Sequence, residues 1–271
     1  MKDLLDAAEV ALDAALEASA LVRRVYKEGF DVEYKAADDP VTRADRQSNA
    51  LLCERLGHAF PGVPIVAEES PPSSYSGFET AEAAWFVDPV DGTREFVAGN
   101  GEFAVMIGLA QLGRAVLSVI VAPSWDRAFV GVVGSGAWEI ARDRSRRPVH
   151  VSDRTSLAGA SVVVSRSRQH PRVPTLLASM GAGAPVVHGS SGLKAVLVAT
   201  GAHDVYLQPG IAGMRWDACA SDALVRAAGG ECTDQQGRHF EYASGELLNA
   251  SGLVATNGLL HVAVVEALRA L

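Results

Sequence analysis

Residues 88–96 read DPVDGTREF and directly follow the apolar run Trp85-Phe86-Val87. Carboxylates at the end of a buried strand are costly unless they are paired, solvated or bound to metal. A second apolar run, VPIVAEES, also finishes in acids, Glu68 and Glu69. Strand ends are where α/β proteins usually assemble their sites, so Glu68, Asp88 and Asp91 can meet in space. Hard divalent ions want oxygen ligands, and Mg²⁺ usually takes a few carboxylates together with waters and substrate phosphate. Asp-Pro and Asp-Gly are also common turn formers, and a plain turn is the competing account of DPVDG. A second acidic strand end is more than a turn requires. If Gly92 and Thr93 open a helix or turn, their backbone N–H groups suit a phosphate.

Further candidates lie outside this stretch. TRAD (Thr42 to Asp45) fits the Ser/Thr-x-x-acid pattern of a capping box at a helix start. Asp217 stands at the start of the helical pattern DACASDALVRAAGG, where an acid caps well. GSSGLK places Gly and Ser190 before an apolar helix, with Lys194 in its first turns. A cation there opposes the helix dipole, which points to a nearby anion. SRSR (Ser165 to Arg168) reads first as a solvated turn. Several chemistries are excluded. The two aspartates of a haloacid-dehalogenase motif lie two apart and share one side of a strand, whereas Asp88 and Asp91 lie three apart and need a turn to converge. EF-hand, P-loop and HExxH patterns are absent.

The surrounding elements follow from periodicity. Leu4, Leu5, Ala8, Leu12, Ala15, Leu16 and Val22 recur at helical spacing up to Gly29, and a second helix is expected from Thr42 to Gly57. The stretch from Phe103 to Val133 reads as three strands joined at QLGRA and PSWD. The charged stretch ARDRSRRPVHVSDRTS suggests a boundary, giving an α+β domain over 1–147 and an α/β domain over 148–271. The 271 residues carry 24 Lys and Arg against 32 Asp and Glu, a formal charge of -8. That balance speaks against nucleic acid or an anionic membrane as partner. Hydrophobic residues at 48% and charged residues at 21% fit an ordinary globular chain. No apolar run approaches the roughly 18 residues of a membrane span. Acids within the first helix argue against a signal peptide, and Cys53, Cys219 and Cys232 show no paired spacing, so a reduced, cytoplasmic protein is expected.

Together AEES, DPVDGT and WDACASDALVRAAGG resemble the three signatures of the inositol monophosphatase superfamily, in order and along nearly the whole chain. DGTREF, NGEFAVMIGLA, VVVSRSRQHP and GSSGLK resemble its 3′(2′),5′-bisphosphate nucleotidase branch more than inositol monophosphatases proper. The resemblance implies a layered αβαβα fold of the inositol monophosphatase/fructose-1,6-bisphosphatase type, Mg²⁺ dependence and lithium sensitivity. It implies metal ligation by Glu68, Asp88, Asp91, Asp217 and the carbonyl of Val90. It also implies that Asp45 accepts a hydrogen bond from Thr93, which orients the attacking water. Gly92, Thr93, Ser190 and Lys194 would meet the substrate. The branch often has a basic residue where this chain has Gln208, and Arg215 is the candidate to compensate. The expected activity is hydrolysis of 3′-phosphoadenosine 5′-phosphate to AMP. An inositol monophosphatase or broad sugar phosphatase is the second reading, and a catalytically silent metal-binding regulatory protein is the reading from another class. The partner is a small phosphate ester, and a homodimer is compatible with the sequence.

Overall fold

The computed structural model describes residues 3–37 and 39–270. The elements run α1 (Leu4–Glu28), β1 (Val32–Ala36), β2 (Asp39–Thr42), α2 (Arg43–Ala59), β3 (Ile65–Ala67), β4 (Ala83–Asp91), α3 (Thr93–Ala98) and β5 (Ala104–Gln111). They continue through β6 (Arg114–Ala122), β7 (Arg127–Val132), β8 (Gly136–Ile140), β9 (Arg146–Pro148), β10 (Val162–Ser165), α4 (Val173–Met180) and β11 (Val186–His188). The last are α5 (Ser191–Ala199), β12 (Val205–Gln208), α6 (Arg215–Ala227), β13 (Glu231–Thr233), β14 (Leu253–Thr256) and α7 (His261–Arg269).

Strands β3 to β9 form one seven-stranded sheet in sequence order, antiparallel except for the parallel β3–β4 pair. A five-stranded sheet has the order β11-β10-β12-β14-β13. Three apolar cores stack the layers. On β5, Val105, Ile107 and Leu109 face the core shared with α1 and α2, while Ala104, Met106 and Ala110 face the core shared with α5 and α6. This period-two division is what a strand buried on both faces produces. A third core joins α4 and α7 to β10, β12 and β14. The order is therefore helix, sheet, helix, sheet, helix, which is the expected αβαβα sandwich. Helix α6 lies so close to β5 that a side chain at Gly108 would come within 2.7 Å of the Ala220 backbone N, so only glycine fits.

The first helix and its stop at Gly29 match the periodicity. The charged stretch after Ile140 holds a strand as well as connection: β9 pairs with β8 at the sheet edge, where Arg146 and Arg147 meet Glu9 and Glu139. Charged side chains of this kind are how an edge strand avoids further pairing. The second half is not simply alternating, because β12, β14 and β13 pair antiparallel. A β1–β2 hairpin, invisible in the apolar pattern, stands before α2. Among the described residues no helix is long and apolar enough to cross a membrane.

Candidate active site

Asp88 and Asp91 converge through a bulge rather than a turn. In β4, Asp88 pairs with Met106 and Asp91 with Ala104, so three steps on β4 match two on β5. The extra residue falls at Pro89–Val90, and a bulge is one of the few places inside a sheet where proline is tolerated. Residues three apart would otherwise face opposite sides. Asp88 Oδ1 accepts the Val90 N–H at 3.0 Å, which fixes its side chain against the bulge. Asp217 arrives from the first turn of α6, where its Oδ2 accepts the Met214 N–H at 2.6 Å. One oxygen from each of Asp88, Asp91 and Asp217 lies within 4.8 Å of the others.

Such crowding is unfavourable for three bare carboxylates. Burial, then the neighbouring charges of Glu68, Asp91 and Asp217, pushes the Asp88 carboxyl well above the usual range. Burial and then Asp91 push Asp217 up to about 6. A hard divalent cation would relieve this repulsion, and an all-oxygen donor set is what it prefers. The residues present therefore fit a metal ion. Asp91 remains tied to the protein: Oδ1 accepts Ser191 N–H at 3.0 Å, and Oδ2 accepts Gly192 N–H at 2.7 Å and the Ser190 hydroxyl. It thus occupies the N-terminus of α5, an anion where the helix dipole favours one.

Glu68 is set beside the three-aspartate cluster, not inside it. It shares a hydrogen bond with Asp88. Its Oε1 lies 3.0 Å from Lys35 Nζ, and the same ammonium is 2.6 Å from Glu69. Burial pushes Glu68 up to about 7, with Lys35 opposing. Lys35 belongs to the β1–β2 hairpin, and no motif in the sequence marked it.

Asp45 performs both tasks that its position allows. Oδ2 accepts the Thr42 N–H at 2.8 Å and the Thr42 hydroxyl at 2.7 Å, closing the capping box of α2. Oδ1 faces the Thr93 hydroxyl at 2.9 Å. Thr93 Oγ1 also lies 3.1 Å from the Val90 carbonyl, so its single hydrogen has two acceptors in reach.

A cavity of about 870 Å³ opens over these groups. Gly92, Thr93, Ser190, Lys194 and Arg168 line it, together with the acids. Gly92 has φ +93°, and a Cβ there would lie 2.9 Å from the Glu102 carbonyl, so the turn demands glycine. Ser190 caps α5 by accepting the Leu193 N–H and is itself held at φ +53°. Lys194 is buried, with its ammonium turned back to the carbonyls of Gly189 and Ser190 and 5.0 Å from the Tyr206 ring. The anion that its place in the helix called for is present in the protein, as Asp91. Burial lowers Lys194 to about 8 against the pull of that carboxylate. Arg215 is not brought to the cavity. Its guanidinium meets the Glu241 carbonyl and Asn249 and lies over the Phe240 ring. Arg168 is among the basic residues that do reach it, and its backbone carbonyl is held by Gln208 Nε2 at 3.0 Å. The SRSR stretch was its only signal.

The layered fold and this acid-lined cavity define the class, a protein of mixed α/β architecture whose clustered carboxylates can hold a metal ion. A family model described as the inositol monophosphatase family matches residues 3–271. The chain is 34% identical to the 3′(2′),5′-bisphosphate nucleotidase CysQ of Salmonella typhimurium, over 86% of this chain and 92% of the relative. It superposes on the inositol monophosphatase of Anabaena with a TM-score of 0.80 at 29% identity, covering 99% and 97% of the two chains. CysQ from Bacteroides thetaiotaomicron gives a TM-score of 0.76 at 28% identity, with 93% and 97% covered. The chain belongs to the inositol monophosphatase family.

Proposed function

We propose that the protein is a Mg²⁺-dependent phosphomonoesterase that converts 3′-phosphoadenosine 5′-phosphate to AMP and phosphate. The observation that carries this reading is one cavity holding both an acidic, metal-suited end and cationic side chains, Lys194 and Arg168 among them. A substrate with a single phosphate needs only the first of these. A bisphosphate uses both. The relatives named as bisphosphate nucleotidases at 30–35% identity support the same choice.

Mg²⁺ held by Asp88, Asp91, Asp217 and the Val90 carbonyl, with Glu68 at hand, would polarise the phosphoryl group and acidify the attacking water. The chain's own residues then do the positioning. Thr93 Oγ1 accepts a hydrogen of that water, while its own hydrogen points to Asp45 Oδ1. Asp45, fixed by Thr42, keeps the hydroxyl in that orientation. The amides after Gly92 face phosphate oxygens. We read residues 1–147 and 148–271 as two lobes that jointly line the cavity. An inositol monophosphatase is the second reading, favoured by the structural likeness to the Anabaena enzyme. A silent regulatory protein would have no use for the Asp45–Thr93 pair.

Phosphate release from 3′-phosphoadenosine 5′-phosphate, 3′-AMP and inositol 1-phosphate, with and without Mg²⁺, tests the proposal. A charge-assisted contact to the second phosphate contributes about 1.5–3 kcal/mol. At about 1.4 kcal/mol per tenfold, kcat/KM should favour the bisphosphate over 3′-AMP by about 10- to 100-fold. Lys194→Ala and Arg168→Ala should each cut that ratio. A ratio unchanged in both variants removes the cations from recognition, and a wild type that favours inositol 1-phosphate overturns the nucleotide assignment.

A further inference from the structure

Glu95 is a buried carboxylate that the reaction as described does not use. It is 4% exposed, sits in the first turn of α3 and lines the same cavity as Thr93 and Asp91. Two glycines make room for it. A side chain at Gly189 would lie 2.3 Å from Glu95 Cγ and 2.7 Å from Cδ, and a Cβ at Gly92 would lie 3.5 Å from Glu95 Oε2. The carboxylate is thus wedged between the turn that carries the Asp91–Thr93 machinery and the loop that leads into α5.

Its partners inside the protein are few. Among the described residues, the hydrogen bond to its side chain is from its own backbone N–H. A carboxylate offers about four lone-pair sites, so most of its accepting capacity is unspent. The buried polar atoms sealed away without a partner, among the described residues, include Asn49 Oδ1 and Asp222 Oδ1 but neither oxygen of Glu95. Glu95 lines the cavity, so its unspent accepting capacity is offered there. The ammonium of Lys194, tied to the carbonyls of Gly189 and Ser190, contributes positive potential beside it. A further cation is disfavoured next to that charge, and an anionic group is disfavoured by Glu95 and Asp91. The group that fits is a neutral hydrogen-bond donor.

We infer that Glu95 accepts a hydrogen bond from a substrate hydroxyl on the carbon next to the phosphate ester, and so selects esters that carry one. The inference rests on the phosphatase reading. The placement supports this: Glu95 and Thr93 both line the cavity, and Glu95 Oε2 lies 3.5 Å from where a Cβ on Gly92 would stand. A vicinal hydroxyl lies about 3 Å from the ester oxygen, within reach of a hydrogen bond from the same turn. In a ribonucleoside 3′-phosphate this group is the 2′-hydroxyl.

The experiment compares kcat/KM on matched pairs that differ only in hydroxyl groups next to the ester carbon: 3′-AMP against 2′-deoxy-3′-AMP, and inositol 1-phosphate against 2,6-dideoxyinositol 1-phosphate. Wild type should favour the hydroxylated member by about 10- to 100-fold. Glu95→Ala should bring the ratio to within about threefold of unity, and Glu95→Gln should keep part of it, since an amide carbonyl still accepts. The ratio is internal to each variant, so partial unfolding cancels. A ratio unchanged in Glu95→Ala, on whichever pair is hydrolysed, overturns the inference, because a carboxylate that only supports α3 would affect both members equally. Hydrolysis confined to the inositol pair would instead defeat the nucleotide reading, while the ratio there still decides the role of Glu95.

Discussion

Replacing Asp45 by Asn separates the two tasks of that carboxylate. Oδ2 takes two donors from Thr42, and Oδ1 faces the Thr93 hydroxyl. An asparagine keeps its carbonyl oxygen on the side with two donors and turns its NH₂ to Thr93. The cap survives, and removing a carboxylate already pushed up by burial offsets the lost dipole interaction of about 0.3–1 kcal/mol. Stability should change by less than about 1 kcal/mol, a few degrees in Tm at most. The catalytic consequence is different. Thr93 now receives a hydrogen from the amide, its own hydrogen turns to the Val90 carbonyl 3.1 Å away, and the polarisation of the water is lost. Losing such proton management costs about 10²- to 10⁴-fold in kcat, with KM little changed. Asp45→Ala should match that kinetic loss and add about 0.5–2 kcal/mol of lost capping. Thr93→Ala should resemble Asp45→Asn, Thr93→Ser should recover most of the rate, and the double variant should be no worse than either single one. Steady-state kinetics and thermal melts on the same samples decide it. If Asp45→Asn turns over within about threefold of wild type, or if the two losses multiply, Asp45 is a cap and nothing more.

Three other outcomes follow from the same geometry. Asp88→Asn and Asp91→Asn should each lower Mg²⁺-dependent turnover by orders of magnitude, but only Asp91→Asn should also lower Tm clearly, since Asp91 receives the Ser191 and Gly192 amides of α5; equal melts would refute that difference. Lithium at constant ionic strength should slow turnover, because a monovalent ion in a position shaped by three aspartates brings too little charge; unchanged rates would count against the assignment. Asp222, buried and pushed up to about 7, binds a proton in the folded state between about pH 4 and 7 that an unfolded aspartate has released, so its stabilisation is full below about 4 and lost as pH rises through about 7. Asp222→Asn should therefore gain on wild type by ~3 °C or more in Tm between about pH 5 and pH 8, and a constant difference would refute this.

Much of this could be read from the chain because the relevant signals are local. The α1 stripe and Gly29, the three strands after Phe103 and the acids at strand ends all depend on neighbours within a few residues. What escaped depends on distant partners. The bulge at Pro89–Val90 shows only against the register of β5. Lys35 is an ordinary hairpin lysine until β3 brings Glu68 and Glu69 to it. Arg215 sits beside Trp216, which lines the cavity, yet helix geometry sends its long side chain to Asn249, while Arg168 arrives from another strand's end. Strand β14 is only four residues, Leu253–Thr256, too short for a period, and its pairing with β13 follows a connection organised by Asp234 through the amides of Gln236 and Arg238.

The acids of the site share one further property. Asp45 closes the first turn of α2, Asp91 meets the first amides of α5, and Asp217 binds the Met214 amide at the start of α6. Three helices from both halves of the chain thus point their N-termini toward one small volume, each ending on a carboxylate. The positive ends of the dipoles offset part of the repulsion among these charges. The same hydrogen bonds fix each carboxylate's rotamer before any cation or substrate arrives, so the arrangement is pre-organised by capping. Folding and function are therefore coupled at these residues. Truncation of Asp91 or Asp217 to alanine removes a cap together with a carboxylate of the cluster and confounds the two effects, whereas an amide at Asp45 or Asp217 keeps one acceptor for its helix; at Asp91, where both oxygens accept, it does not.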